Sequence, residues 1–167
     1  FARAGVPIIG CEPSCLLTLR DEYPDLLRTE ESRVVAENSF LLEEFLIKLK
    51  TEGQLSLSFN AMSEHVLFHG HCHQKALTGT AASIAALRLI PGLQVDEIDS
   101  GCCGMAGAFG YEREHYDVSM AIGERVLFPT VRSAPKAHIA ITGTSCRQQV
   151  LDGTGRHAEH VIEILRR

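Results

Sequence analysis

The chain has 167 residues, 45% of them hydrophobic and 22% charged, and its net charge is −5 with the histidines neutral. That length sustains a core without disulfide staples, the acidic balance argues against nucleic acid as a partner, and no apolar run is long enough to span a bilayer. The six cysteines, Cys11, Cys15, Cys72, Cys102, Cys103 and Cys146, follow no secretory leader. They are therefore expected as metal ligands or redox groups of a reducing, cytoplasmic compartment.

The chain opens on Phe1 and runs at once into the apolar Ala4-Gly-Val-Pro-Ile-Ile9, which reads as a piece of a longer polypeptide. Val6 to Ile9 predicts a short buried strand, followed by Gly10-Cys11-Glu12-Pro13-Ser14-Cys15, where Pro13 and Ser14 suit a helix start. Leu16 to Leu27 predicts a short helix interrupted at Pro24, and Arg28 to Arg33 a solvated, charged stretch. Ser39 to Lys50 has an apolar face of Phe40, Leu41, Leu42, Phe45, Leu46 and Leu49, so an amphipathic helix is expected there. Thr51 to Asn60 is a polar connection.

His65 to Phe68 predicts the second strand, which leads into His69-Gly-His71-Cys72-His73. Gln74 to Leu89 predicts a helix closed by Pro91-Gly92. Leu93 to Ile98 alternates as a third strand, ends at Asp99 and enters Gly101-Cys102-Cys103-Gly104-Met-Ala-Gly107. Tyr111 to Arg132 predicts one long helix, with Pro129 near its end. Ala137 to Thr142 is the fourth strand, ahead of Gly143-Thr-Ser-Cys146. For His160 to Leu165 the periodicity leaves strand and helix open.

Strands alternating with helices imply an α/β fold with a parallel sheet of about four to five strands and helices on both faces. The consequence for chemistry is that Cys11, Cys72, Cys102, Cys103 and Cys146 each follow a strand's carboxyl end. In open α/β folds those ends share one edge, where ligands bind. Neighbouring cysteines rarely bond to each other, because the disulfide geometry does not fit. A glycine-bounded turn instead lets Cys102 and Cys103 aim at one centre. Gly101, Gly104, Gly107 and Gly110 do not follow the G-x-G-x-x-G spacing, and neither a phosphate-binding G-x-x-x-x-G-K-[ST] nor a G-x-S-x-G elbow occurs. Three readings of the thiols remain: a redox cluster, a zinc site that draws on His69, His71 or His73, and buried sulfurs in a non-metal interaction module.

The strings Glu12-Pro-Ser-Cys15, His69-Gly-His-Cys72-His-Gln-Lys75, Gly101-Cys-Cys-Gly-Met-Ala-Gly107 and Gly143-Thr-Ser-Cys146-Arg-Gln-Gln149 carry a resemblance that covers nearly the whole chain. They resemble the cysteine-rich CCG domain of the heterodisulfide reductase B subunit and the glycolate oxidase iron–sulfur subunit. The likeness extends to the anaerobic glycerol-3-phosphate dehydrogenase C subunit and lactate-utilisation proteins. It is strongest to the C-terminal part of fused FAD-linked D-lactate and D-2-hydroxyglutarate dehydrogenases. The family repeat is a cysteine, a long gap, Cys-Cys-Gly, a similar gap and Cys-x-x-Cys. Here 29 residues separate Cys72 from Cys102, and 42 separate Cys103 from Cys146.

The resemblance implies a pseudo-symmetric pair of Rossmann-like halves, with residues 1–60 the tail of the first and 61–167 the second. It implies an iron–sulfur cluster, of the 4Fe–4S kind, with zinc as the alternative metal. The ligands would come from Cys15, Cys72, Cys102, Cys103 and Cys146, with Cys11 a sixth candidate. The amides of Gly101, Gly104 and Gly107 would donate to cluster sulfurs, and Asp99 and Glu12 would stand behind the ligands or in solvent. The implied partners are a flavin domain carrying FAD in the parent chain or complex and an electron acceptor or quinone. Any contact with the inner membrane would be made through partners. The site that oxidises the substrate would lie outside these residues. The chain departs from the family at Cys146-Arg-Gln-Gln149, where the last cysteine is absent, and at Cys11-x-x-x-Cys15.

Overall fold

The first strand is short: Pro7 stands just before it and Gly10 is its last residue. In the computed structural model, which describes residues 2–167, β1 (Ile8–Gly10) pairs in parallel with β2 (Ser39–Leu41), Ile8 opposite Ser39 and Gly10 opposite Leu41. Three helices connect them: α1 (Pro13–Arg20), α2 (Glu22–Leu27) and α3 (Glu30–Glu37). Pro13 opens α1, where its missing N–H costs nothing. The expected helix over 16–27 is in fact two, broken at Asp21 rather than at Pro24.

The stretch 39–50 splits. Ser39–Leu41 is drawn into the strand pair, and the helix α4 (Leu42–Thr51) begins only after it. The Glu44 carboxylate accepts from the Leu41 amide at 2.9 Å and so marks the helix start. Helical periodicity in the sequence could not register the strand, because three residues are fewer than one turn.

A three-stranded parallel sheet follows. Its central strand β3 (His65–His69) lies between β4 (Gln94–Glu97) and β5 (His138–Ile141). The α/β class with parallel strands is as expected, and the five strands are shared between two sheets rather than joined in one. The expected helix over 74–89 is α5 (Cys72–Leu77) and α6 (Ala81–Leu87), separated at Gly79. The long helix expected over 111–132 is also divided. A short 3₁₀ turn at Phe109–Tyr111 precedes α7 (Tyr116–Glu124), and α8 (Leu127–Ser133) holds Pro129 in its first turn, where proline is tolerated. After β5 come α9 (Thr144–Thr154) and α10 (Val161–Leu165), which resolves the last apolar segment as a helix.

Strand alternation sorts the core into two layers. Val66, Phe68, Val95 and Ala140 pack against Leu46, Leu87, Ile90 and Ile164. Leu67, Ile139 and Ile141 face the other way, against Leu127, Phe128, Val131, Val150 and the thiols of Cys103 and Cys146. No helix among the described residues is long and apolar enough to cross a membrane.

Candidate metal centre

Each of three strands delivers a thiol to the same edge of the sheet. Cys72 is the first residue of α5, just after β3. Cys102 and Cys103 lie in the loop after β4, and Cys146 is in the first turn of α9, just after β5. Their sulfurs form a continuous run: Cys72 against Cys102, Cys102 against Cys103, Cys103 against Cys146. The run passes from interior to surface. Cys146 is 1% and Cys103 2% exposed, Cys102 is half-buried and Cys72 is open to solvent.

Neighbouring thiolates repel, so the sulfurs of the run shift one another's titration in opposite directions. Hydrogen bonding to Cys102 holds the Cys72 thiol above its ordinary range, and hydrogen bonds to Cys102 and Cys146 do the same for Cys103. Cys102, which accepts from Cys103 and Cys72, is driven down. Cys146 is lowered to about 5 by the hydrogen bond from Cys103, against its own burial and with help from His69. The four sulfurs thus compete for protons, and a bound cation would take the protons' place.

The loop around the sulfurs is tightly held. The Gly104 amide donates to Cys102 Sγ at 3.3 Å, the Ala106 amide also reaches Cys102, and the Met105 amide reaches Cys103. Of the three glycine amides expected to face cluster sulfurs, that of Gly104 donates to the Cys102 sulfur itself, and no hydrogen bond to a cysteine sulfur joins those of Gly101 and Gly107. Gly104 has φ +103, and a Cβ there would collide with the Ser119 carbonyl oxygen, so no side chain fits this turn. The Gln149 amide group donates to the Cys103 carbonyl at 3.1 Å and to the Ser119 carbonyl at 3.2 Å, clamping the loop from behind. Lys75 Nζ donates to the carbonyls of Ser100 and Gly101 on the approach to Cys102. A cleft of about 230 Å³ opens beside Cys102, lined by Asp99, Gly101, Ile122 and Arg125.

His69 belongs to the same group. Its Nδ1 lies 2.7 Å from Ser100 Oγ, while Nε2 is buried against the Cys146 sulfur without a well-formed hydrogen bond. The ligand atoms of His69, Cys103 and Cys146 lie within 4.8 Å of one another. Alternation along β3 carries the signal: His69 is two residues from Leu67 and so faces the same layer. Gln149 has a signal too, since it is three residues beyond Cys146 on one helix and shares its face. Its side-chain amide holds the loop in place from behind.

Cys11 and Cys15 stay outside the sulfur run, and both are exposed. Burial and the nearby Glu43 push the Cys11 thiol up. Their loop nevertheless docks on the centre's outer edge. Glu12 Oε2 accepts from the Thr144 amide at 2.7 Å and its hydroxyl at 2.8 Å, while Oε1 accepts from the Ser14 hydroxyl at 2.8 Å. Partial burial would raise the Glu12 carboxyl, but these hydrogen bonds take it below its usual range. His160 Nδ1 accepts from the Ile162 amide at 3.1 Å, so Nε2 carries the proton and donates to the Cys11 carbonyl at 2.9 Å.

The chain is similar in sequence to parts of longer curated dehydrogenases. The chain is 31% identical over 161 residues to the C subunit of the anaerobic glycerol-3-phosphate dehydrogenase of Escherichia coli K12, covering 96% of this chain and 40% of that protein. It is 33% identical over 172 residues to the D-2-hydroxyglutarate dehydrogenase of the same organism, covering 99% of this chain and 16% of that protein. The enzyme of the same name from Pseudomonas putida is 30% identical over 170 residues, or 15% of its length. The chain therefore spans well under half of the curated relatives it matches. No protein-family profile matches it, and no solved structure does.

Proposed function

We propose that this chain is an iron–sulfur electron-transfer domain of an FAD-linked 2-hydroxyacid oxidoreductase, relaying electrons from a flavin to a carrier or quinone. One observation carries the reading: three strand ends deliver four thiols into one run. The donor set fits the group, because four thiolates are the usual complement for an iron–sulfur cluster. Cys72, Cys102, Cys103 and Cys146 would hold it, and a bound cluster would supply one-electron chemistry.

The protein's own contribution is position and environment. Gln149, Lys75 and Gly104 fix the loop so that the sulfurs need not reorganise on binding. The amides of Gly104, Met105 and Ala106 point at sulfur and would stabilise added negative charge, which raises a reduction potential. Burial on the Cys146 side excludes water, and exposure at Cys72 gives a partner domain close access. The relatives named for glycerol-3-phosphate and D-2-hydroxyglutarate dehydrogenation support an enzyme of that class as the parent. Substrate oxidation and FAD binding would belong to the rest of that parent.

A second reading has one observation of its own. His69 with Cys103 and Cys146 makes a compact nitrogen–sulfur set suited to zinc, which is redox-silent. Anaerobic purification followed by iron, sulfide and zinc analysis, with EPR of the dithionite-reduced protein, separates the two. Iron and sulfide in comparable amounts with a reduced EPR signal are expected. Zinc alone, with no visible absorbance, would replace the cluster reading by the zinc reading.

A further inference from the structure

The four cysteines leave one buried polar group of the centre unaccounted for. His69 is 0% exposed, and its Nε2 has no hydrogen-bond partner among the described residues. An enclosed ring nitrogen is costly unless something answers it. What it faces is sulfur: the ligand atoms of His69, Cys103 and Cys146 lie within 4.8 Å of one another. Whether Nε2 offers that sulfur a hydrogen or a lone pair is set by the bond that the other ring nitrogen makes.

Nδ1 lies 2.7 Å from Ser100 Oγ. The Ser100 hydroxyl has one hydrogen and two places to send it. The Ile98 carbonyl is 3.5 Å away, beyond the range of a good O–H···O bond, and it already accepts from the Ser100 amide at 2.7 Å. The hydroxyl therefore donates to Nδ1, and the ring's own hydrogen is on Nε2. Ser100 is held in place for this, since it is buried and Lys75 Nζ, from α5, donates to its carbonyl. A ring in this tautomer presents a hydrogen to the sulfurs and no lone pair to a metal among them.

We propose that His69 is a hydrogen-bond donor to the centre, its Nε2–H directed at the Cys146 sulfur and oriented by Ser100, and that it raises the reduction potential of a bound iron–sulfur cluster. The inference rests on the cluster reading and adds to it a residue that ligates nothing. Backbone amides support negative charge on Cys102 and Cys103, and His69 does the same for Cys146, whose thiol is lowered with that ring's help. A hydrogen bond to a ligand sulfur draws off charge and so eases the addition of an electron. The same tautomer sets the cluster apart from zinc, which would need the Nε2 lone pair.

The test joins a tautomer measurement to a redox titration. In the reduced, metal-free, nitrogen-labelled chain, long-range proton–nitrogen NMR correlation is expected to show the His69 hydrogen on Nε2, and Ser100→Ala to lose that preference. In the anaerobically purified, cluster-loaded chain, His69→Leu should keep the iron and sulfide of the unaltered chain while its potential, followed by EPR, moves to a more negative value. His69→Gln, whose side-chain amide can stand in for Nε2–H, should recover part of that shift, and Ser100→Ala should give a smaller shift of the same sign. Hydrogen on Nδ1 in the unaltered chain would overturn the proposal, as would an unmoved potential. Loss of iron and sulfide from a folded His69→Leu would make His69 a ligand and overturn it as well. Should His69→Leu not fold, the tautomer and the potential of Ser100→Ala decide. These outcomes, seen with iron and sulfide present in the unaltered chain, strike the His69 assignment alone, whereas an unaltered chain without them would overturn the cluster reading and this proposal with it.

Discussion

Two strand-to-helix turns of this protein are nearly the same in sequence and differ in what they build. After β1, Pro13-Ser14-Cys15 opens α1; after β5, Thr144-Ser145-Cys146 opens α9. Each cysteine is the third residue of its helix, and the Glu12 carboxylate bonds to both turns. Yet Cys15 is exposed, and Cys146 is buried among sulfurs. The difference is in the neighbours. β1 has only β2 beside it, whereas β5 lies beside β3, whose far side is β4, and the loops of all three strands close over one edge. A thiol at a helix start becomes part of a centre only where adjacent strands send their own loops to meet it.

Removing each of the two thiols in turn should give the largest contrast. Cys146→Ser is expected to abolish bound iron, and Cys15→Ser to keep it at the level of the unaltered chain, read by metal and sulfide analysis after anaerobic purification. Equal losses in both variants would erase the distinction between the turns. Next in size is Gly104→Ala, at the turn where φ is positive and a Cβ meets the Ser119 carbonyl. A loss of about 3–4 kcal/mol in denaturant unfolding is expected, because neither the backbone nor the carbonyl can yield cheaply. Iron retention should fall in step.

The first half of the chain carries a buried carboxyl group with an unpartnered oxygen. Glu43 is 1% exposed, its Oε1 has no partner, and burial raises its carboxyl to about 7. A carboxyl raised in the folded state favours folding while protonated, and that contribution disappears as pH rises through about 7. Stability should therefore decline between about pH 4.5 and pH 7, by up to about 3 kcal/mol from this group. Glu43→Gln should flatten the decline and be the more stable form at the alkaline end. Equilibrium unfolding of both forms across that range checks it, and parallel pH profiles would contradict it. The smallest effect is expected from Glu12→Ala, which uncaps both turns at once. About 1–2 kcal/mol should be lost, and thermal melting should show the loss with Cys146 still buried to thiol reagents.

Much of this arrangement was legible in the residues. Alternating strands and helices gave the parallel α/β class, and the positions of Cys72, the Cys102–Cys103 pair and Cys146 after strands put them at one edge. These are local or topological features, and the chain writes them directly. The division of helices at Asp21, Gly79 and Arg125 was less visible, because apolar spacing continues across a break that backbone geometry imposes. The strand at Ser39–Leu41 escaped for a related reason: only its pairing with β1 distinguishes it from the first turn of a helix.

The amino-acid sequence by itself determined which chemistry is on offer, since thiols, glycines and strand order are fixed by residue type and spacing. Tertiary structure alone decided which thiols meet. It left Cys11 and Cys15 at the surface, turned His69 toward Cys146, and set Gln149 behind the Cys103 carbonyl. The reason is that burial and contact depend on how many neighbouring loops converge on a point, a property of three-dimensional packing that no single stretch of chain contains.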